Sequence, residues 1–175
     1  MKLFGFAGQS GSGKTTVIEK LIPLFSGMGL TVSVIKHTHH SFDVDSPGKD
    51  SWRQRHAGAK EVLLTSDVRW ALMHELRGTA EPELPEQLRH LSPCDLVLVE
   101  GFKRHPIPRL EVWRIANKSP PLYPIDPNIV AIATDAKLDI ALPIFRLDDY
   151  PGVGQFILQS AKPARELFST SSGTT

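Results

Sequence analysis

The stretch Gly8-Gln9-Ser10-Gly11-Ser12-Gly13-Lys14-Thr15 has the spacing G-x-x-x-x-G-K-T and follows directly on the apolar run Leu3-Phe4-Gly5-Phe6-Ala7. A strand before and a helix after is the setting in which this spacing makes a phosphate-binding loop. Glycine lets the chain wrap so that successive backbone N–H groups point inward at a polyphosphate. Lys14 is placed to reach the β- and γ-phosphates, and the Thr15 hydroxyl to ligate Mg²⁺. The segment from Thr16 to Met28 reads as a helix whose positive end faces the same phosphates.

Outward from this loop, the run Asp95-Leu96-Val97-Leu98-Val99 ends in Glu100-Gly101. An unbroken apolar run marks a strand buried on both faces, as in the middle of a parallel sheet. Four apolar residues followed by an acid form the Walker-B pattern, whose carboxylate orients the Mg²⁺ shell or the attacking water. Lys14 and Glu100 are therefore the candidate catalytic pair, with Gly101 permitting close approach to the γ-phosphate.

Further strands are predicted over 30–36, 109–115, 128–133 and 143–147, and a hairpin over 61–65 and 68–76 about Ser66-Asp67. Helices are predicted over 50–57, 86–91 and 153–166, and Pro23 should kink the first helix. Alternating strands and helices predict an α/β fold: three layers of the P-loop NTPase type, a mainly parallel sheet and an inserted β-hairpin. A single nucleotide-binding domain is expected over 1–168, with 169–175 as a frayed Ser/Thr/Gly tail.

In open α/β sheets the ligand sits beyond the carboxyl ends of the strands, so the remaining chemistry is sought there. The second strand runs into Lys36-His37-Thr38-His39-His40-Ser41-Phe42-Asp43-Val44-Asp45-Ser46-Pro47-Gly48-Lys49-Asp50-Ser51. Three histidines and two spaced carboxylates invite a Zn²⁺ or Ni²⁺ reading. The competing reading is a switch-like loop in which Asp43 or Asp45 joins Thr15 and Glu100 in the Mg²⁺ shell. Lys49 is a further candidate phosphate contact. Asp135, just past the apolar run Ala131-Ile132-Ala133, is positioned to accept both guanine N1–H and N2–H₂, which adenine cannot offer. Asn117-Lys118-Ser119-Pro120 starts like the guanine signature N-K-x-D but has no Asp in its fourth place, and is set aside as a base reader. Lys103-Arg104-His105 should lie near the phosphate edge, with Arg53 and Arg55. No Gln follows Glu100 as a water positioner and no arginine presents itself as a finger, so unassisted hydrolysis should be slow.

The bulk numbers agree with this reading. The chain has 175 residues, 41% hydrophobic and 22% charged, which suits one domain that is neither disordered nor membranous. A net charge of +1 argues against a general nucleic-acid coat. The single cysteine, Cys94, excludes an intrachain disulfide and is expected as a small buried residue beside a strand. No segment approaches the roughly 18–20 apolar residues of a membrane span, and Met1-Lys2 enters the first strand at once, so a cytoplasmic location is expected.

The strings GQSGSGKTT, KHTHHSFDVDSPGKDS and LVLVEGFK, in that order and spacing, closely resemble the molybdopterin-guanine dinucleotide biosynthesis protein B family (MobB), from the first strand to about Asp135. The His-rich string with PGKDS is far more specific than the phosphate loop alone. The VEG strand end also resembles the wider group that includes dethiobiotin synthetase and the nickel-inserting GTPases. The resemblance implies a GTP-binding homodimer that assists a partner transferase (MobA-like) in attaching GMP to molybdopterin. Carried over by position, it implies that Gly8 to Thr16 bind phosphates and Mg²⁺ and that Glu100 is the acid near the metal. The anionic pterin phosphate is a candidate ligand of Lys103-Arg104. A nickel or zinc metallochaperone GTPase and a dethiobiotin-synthetase-like phosphoryl-transfer enzyme remain open as alternatives.

Overall fold

The computed structural model describes residues 1–38 and 42–168. The chain forms two compact units, one built from Met1–His37 together with the chain from Leu84 onward, the other from Thr38–Glu83. The larger unit is organised around β1 (Lys2–Ala7), whose apolar residues are buried on both faces. β1 lies between β5 (Leu96–Glu100) and β6 (Arg109–Trp113), parallel to both. With β2 (Val32–Lys36), β7 (Ile129–Thr134) and β8 (Ile144–Phe145) the sheet runs β2-β5-β1-β6-β7-β8, every neighbouring pair parallel.

Side-chain alternation sorts the core into two layers. Phe4, Phe6, Leu96, Leu98, Leu110 and Val112 pack with Val17, Ile18, Leu21 and Phe25 of α1 (Lys14–Gly27) and with Val153 and Ile157 of α4 (Tyr150–Ser160). Leu3, Val97, Val99 and Ile107 face the other way, onto Leu84 and Leu88 of α3 (Leu84–Leu88). Each such side chain removed fully from water contributes about 1.5–3 kcal/mol. Apolar residues on both faces of β1 and β5 thus demand helices on both, which is the three-layer arrangement the sequence predicts.

α1 starts at Lys14, two residues before the predicted start, because Gly13 takes a left-handed conformation and ends the loop there. Pro23 sits on the exposed side and the helix continues through it. The closing helix predicted over 153–166 is instead broken. Asp149 caps α4 by accepting from Gly152 N at 3.0 Å, and the chain leaves the helix at Ala161 in an extended conformation. Pro163 has no N–H and disfavours helix at the residue before it. Lys162–Pro163 forms β9, antiparallel to the start of β1, and α5 (Ala164–Phe168) follows. The edge is open to β9 because β6 pairs with β1 only from Gly5 onward. Cys94, predicted buried, is only partly so, packed beside the second core layer.

The smaller unit consists of α2 (Asp50–His56) and an antiparallel hairpin of β3 (Glu61–Thr65) and β4 (Trp70–His74), in register from Glu61↔His74 to Thr65↔Trp70. Leu63 and Leu72 are directly paired, Trp70 lies on the same face, and all three are exposed.

Candidate functional site

The loop Gly8–Thr15 joins the end of β1 to α1, and its glycines are required by geometry. Gly8 has φ 135° and a Cβ there would stand 2.3 Å from Val112 O, so only glycine lets the loop cross β6. No acidic residue lies in the first turn of α1 and no side chain caps it, which leaves the positive helix end and its free N–H groups to a ligand. Lys14 folds back over the loop, donating from Nζ to Gly8 O at 2.9 Å and Gln9 O at 3.0 Å.

Glu100 ends β5 beside this lysine. Its carboxylate is 3.9 Å from Lys14 Nζ and 3.5 Å from Lys36 Nζ, so the predicted catalytic pair is brought together. Burial pushes the Lys14 ammonium below its ordinary pKa; Glu100 opposes the shift, while Lys36 and Lys103 add to it. Two lysines thus stand on one carboxylate at the carboxyl end of the sheet, an arrangement suited to a polyanion.

Gly101 makes a close approach within the protein itself. With φ 97°, a Cβ would lie 2.7 Å from His37 Cβ, so glycine here lets the strand end pass the residue after β2. His37 N donates to Glu100 O at 2.8 Å and its ring packs on Phe102. The basic segment that follows is pinned from beneath. Arg109, 1% exposed, donates from Nη2 to Phe102 O and His105 O at 2.8 and 2.6 Å and from Nη1 to Asp126 Oδ2 at 3.1 Å. Lys103 of that segment lies within electrostatic reach of Lys14.

Two side chains past β6 reach the phosphate loop. Arg114 donates from Nε to Ser12 O at 2.8 Å, and Asn117 donates from Nδ2 to Ser10 O at 3.2 Å. The segment set aside as a base reader is therefore stitched to the phosphate loop. Asp135, at the end of β7, accepts at Oδ1 from Ile115 N at 3.0 Å, which ties the candidate base reader to the same segment. Only strand order reveals Arg114: Ala7↔Glu111 pairs β1 with β6, so β6 continues beyond the end of β1 to the level of the loop.

In the smaller unit, Asp43 and Asp45 are engaged by Arg55, at 2.7 and 3.4 Å, and Arg55 also reaches Glu75 at 2.7 Å. Asp45 additionally accepts from Ser51 Oγ at 2.8 Å. A backbone N–H from Asp45 and then the guanidinium hold the Asp43 carboxyl below its ordinary pKa. Of the three histidines of the string, His39 and His40 lie outside the described residues, as does Ser41.

The model of the family described as molybdopterin guanine dinucleotide synthesis protein B matches residues 3–135. The molybdopterin-guanine dinucleotide biosynthesis adapter protein of Haemophilus influenzae is 43% identical over 155 residues, 89% of this chain and 86% of that protein. Its Escherichia coli counterpart is 39% identical over 160 residues, 90% and 91% of the two chains. Among solved structures, a molybdopterin-guanine biosynthesis protein B (mobB) superposes with a TM-score of 0.71 at 28% identity, over 90% of this chain and 98% of that one. Bacillus subtilis MobB does so with a TM-score of 0.71 at 26% identity, over 93% and 99%.

Proposed function

The chain belongs to the molybdopterin guanine dinucleotide synthesis protein B family, and on that premise we propose that it is a GTP-binding adapter that assists a GMP-transferring, MobA-like partner in molybdopterin guanine dinucleotide formation. The observation that carries the nucleotide role is the phosphate loop itself. Its glycines hold the wrapped shape, α1 is uncapped, and Lys14 and Lys36 both stand on the carboxylate of Glu100.

Within this reading the residues Gly8 to Thr16 bind the phosphates and Asp135 reads the guanine edge. The Thr15 hydroxyl and the Glu100 carboxylate are hard oxygen donors, the kind Mg²⁺ takes. When bound, the metal neutralises charge on the outer phosphates. Asp43 and Asp45, the other candidate metal donors, are ion-paired with Arg55. Lys103 and Arg104 offer the pterin phosphate a cationic approach. The exposed Leu63-Trp70-Leu72 face of the hairpin supports a homodimer. Hydrolysis by the chain alone is expected to be slow, on the order of 10⁻⁴–10⁻² per second, in the absence of a water-positioning Gln after Glu100. No described helix is long and apolar enough to cross a membrane, and a cytosolic setting for the partner reaction is part of the same proposal.

The test is reconstitution. The chain is added to a MobA-like transferase with molybdopterin and Mg·GTP, and guanine-dinucleotide cofactor is measured with the wild type and with Lys14→Ala. A rise in yield with the wild type and none with the variant is expected. Equal yields with and without the chain would overturn the adapter role, and a new phosphorylated metabolite made by the chain alone would favour a phosphoryl-transfer enzyme.

A further inference from the structure

Arg114 adds a cation to a helix end that suits an anion. A Cβ on Gly13 would meet Arg114 Nη2 at 3.2 Å, Nε at 3.5 Å and Cζ at 3.8 Å, so the guanidinium lies across the residue that opens α1. That helix end is already positive, it carries Lys14, and no acidic residue lies in its first turn. Nε is used, on Ser12 O at 2.8 Å. Nη1 and Nη2 are engaged by no described residue of the chain. In the same loop Ser12 Oγ is buried without a hydrogen-bond partner, so the loop holds an unmet polar group as well as unmet charge.

The position also has a direction. Lys36 and Glu100 stand at the ends of β2 and β5, on one side of the loop. Arg114 follows β6 on the other side, and the segment it begins is bonded at Ile115 N to Asp135 of the β7 end. A nucleotide with its outer phosphates at Lys14 and Glu100 and its base at Asp135 passes Arg114 between them.

We propose that Arg114 is a nucleotide-contacting residue: Nε braces the phosphate loop, and the two Nη groups bind oxygens of the inner, nucleoside-proximal phosphates. This rests on the GTP-binding reading above. A brace alone would need only Nε. A guanidinium offers two further parallel donors, and that fork suits phosphate oxygens better than an ammonium does. The inner phosphates are common to GTP and GDP, so both nucleotides should feel the loss.

The experiment titrates wild type, Arg114→Gln and Arg114→Lys with Mg·GTP and Mg·GDP by calorimetry, and records the melting temperature of each nucleotide-free protein. Gln keeps an N–H donor for Ser12 O but has neither charge nor fork. The expected result is a loss of about tenfold or more for GTP and GDP alike in Arg114→Gln, partial recovery in Arg114→Lys, and a nucleotide-free melting temperature that is unchanged or higher. Unchanged affinity for both nucleotides overturns the proposal, as does a loss confined to GTP. An affinity loss that comes with a lower nucleotide-free melting temperature, unrelieved by Arg114→Lys, assigns Arg114 to bracing alone and also overturns it. A wild type that binds neither nucleotide overturns the GTP-binding reading itself, and this proposal with it.

Discussion

Lys14 and Arg55 are both largely shielded cations, and what surrounds them differs in kind. Lys14 is held by two backbone carbonyls, with a carboxylate at 3.9 Å. Arg55 is held by three carboxylates, at 2.7, 2.7 and 3.4 Å. Carbonyl oxygens orient an ammonium without neutralising it, so its charge remains available. Carboxylates neutralise a guanidinium where it stands. The pKa directions agree: burial pushes Lys14 down, while hydrogen bonds to Glu75 and Asp43 push Arg55 up. On the proposed reading, a cation available to a ligand and a cation held by the fold are thus told apart by their acceptors, although both read as basic residues in a polar stretch.

Removing each cation in turn is the most direct way to break this comparison. Lys14→Ala should weaken GTP at least about tenfold, since a charge-assisted contact of roughly 1.5–3 kcal/mol is lost, while the melting temperature changes little. Calorimetry that finds unchanged affinity in a folded variant would place the main anion site elsewhere. Arg55→Ala should act on the smaller unit instead. Asp43, Asp45 and Glu75 would face one another without a counter-charge, and hydrogen exchange and proteolysis over 42–49 should quicken severalfold. A variant with unchanged exchange there would show that the three ion pairs contribute nothing to holding that segment.

Two smaller effects sharpen the contrast between carboxylates that meet ligand and carboxylates that hold structure. Asp135→Asn should weaken GTP and strengthen XTP, because xanthine presents an acceptor where guanine has a donor. Wild-type protein that binds ATP and GTP equally would end that assignment before any variant was made. Asp95 belongs to the structural kind: Thr31 donates to its Oδ2 from both Oγ1, at 2.6 Å, and N, at 2.8 Å, which holds the carboxyl below its ordinary pKa. Its contribution is present above the ordinary carboxylate range and is lost as pH falls through the lowered folded value. The acid side of a melting-temperature profile should therefore be slightly shallower in Asp95→Asn than in the wild type. A steeper acid limb in the variant would contradict the direction of the shift.

The features legible in the sequence are those whose physics is local. The phosphate loop is spelled by glycines at positions of positive φ, and the two-sided burial of β5 by four consecutive apolar residues. The hairpin is announced by β-rich runs about Ser66-Asp67, although β4 starts at Trp70 rather than Val68 because Ser66 Oγ accepts from Val68 N and Arg69 N and extends the turn. Less legible are groups whose meaning depends on a partner far along the chain. Glu111 sits within a strand, and nothing near it in sequence predicts a fully buried carboxylate that accepts from Leu122 N and Tyr123 N. Burial raises its pKa, and those two backbone donors oppose the rise.

By itself the sequence determined the α/β layering, the phosphate loop and the acid at the end of β5, because periodicity and glycine spacing act over a few residues. Only the tertiary structure decided what stands beside them. Placing β6 next to β1 brings Arg114 onto the loop from 102 residues away, and leaving the first residues of β1 unpaired by β6 turns Lys162–Pro163 from a predicted helix into a strand. Strand order is set by how the whole core packs, and a single chain of letters does not carry that order in any local window.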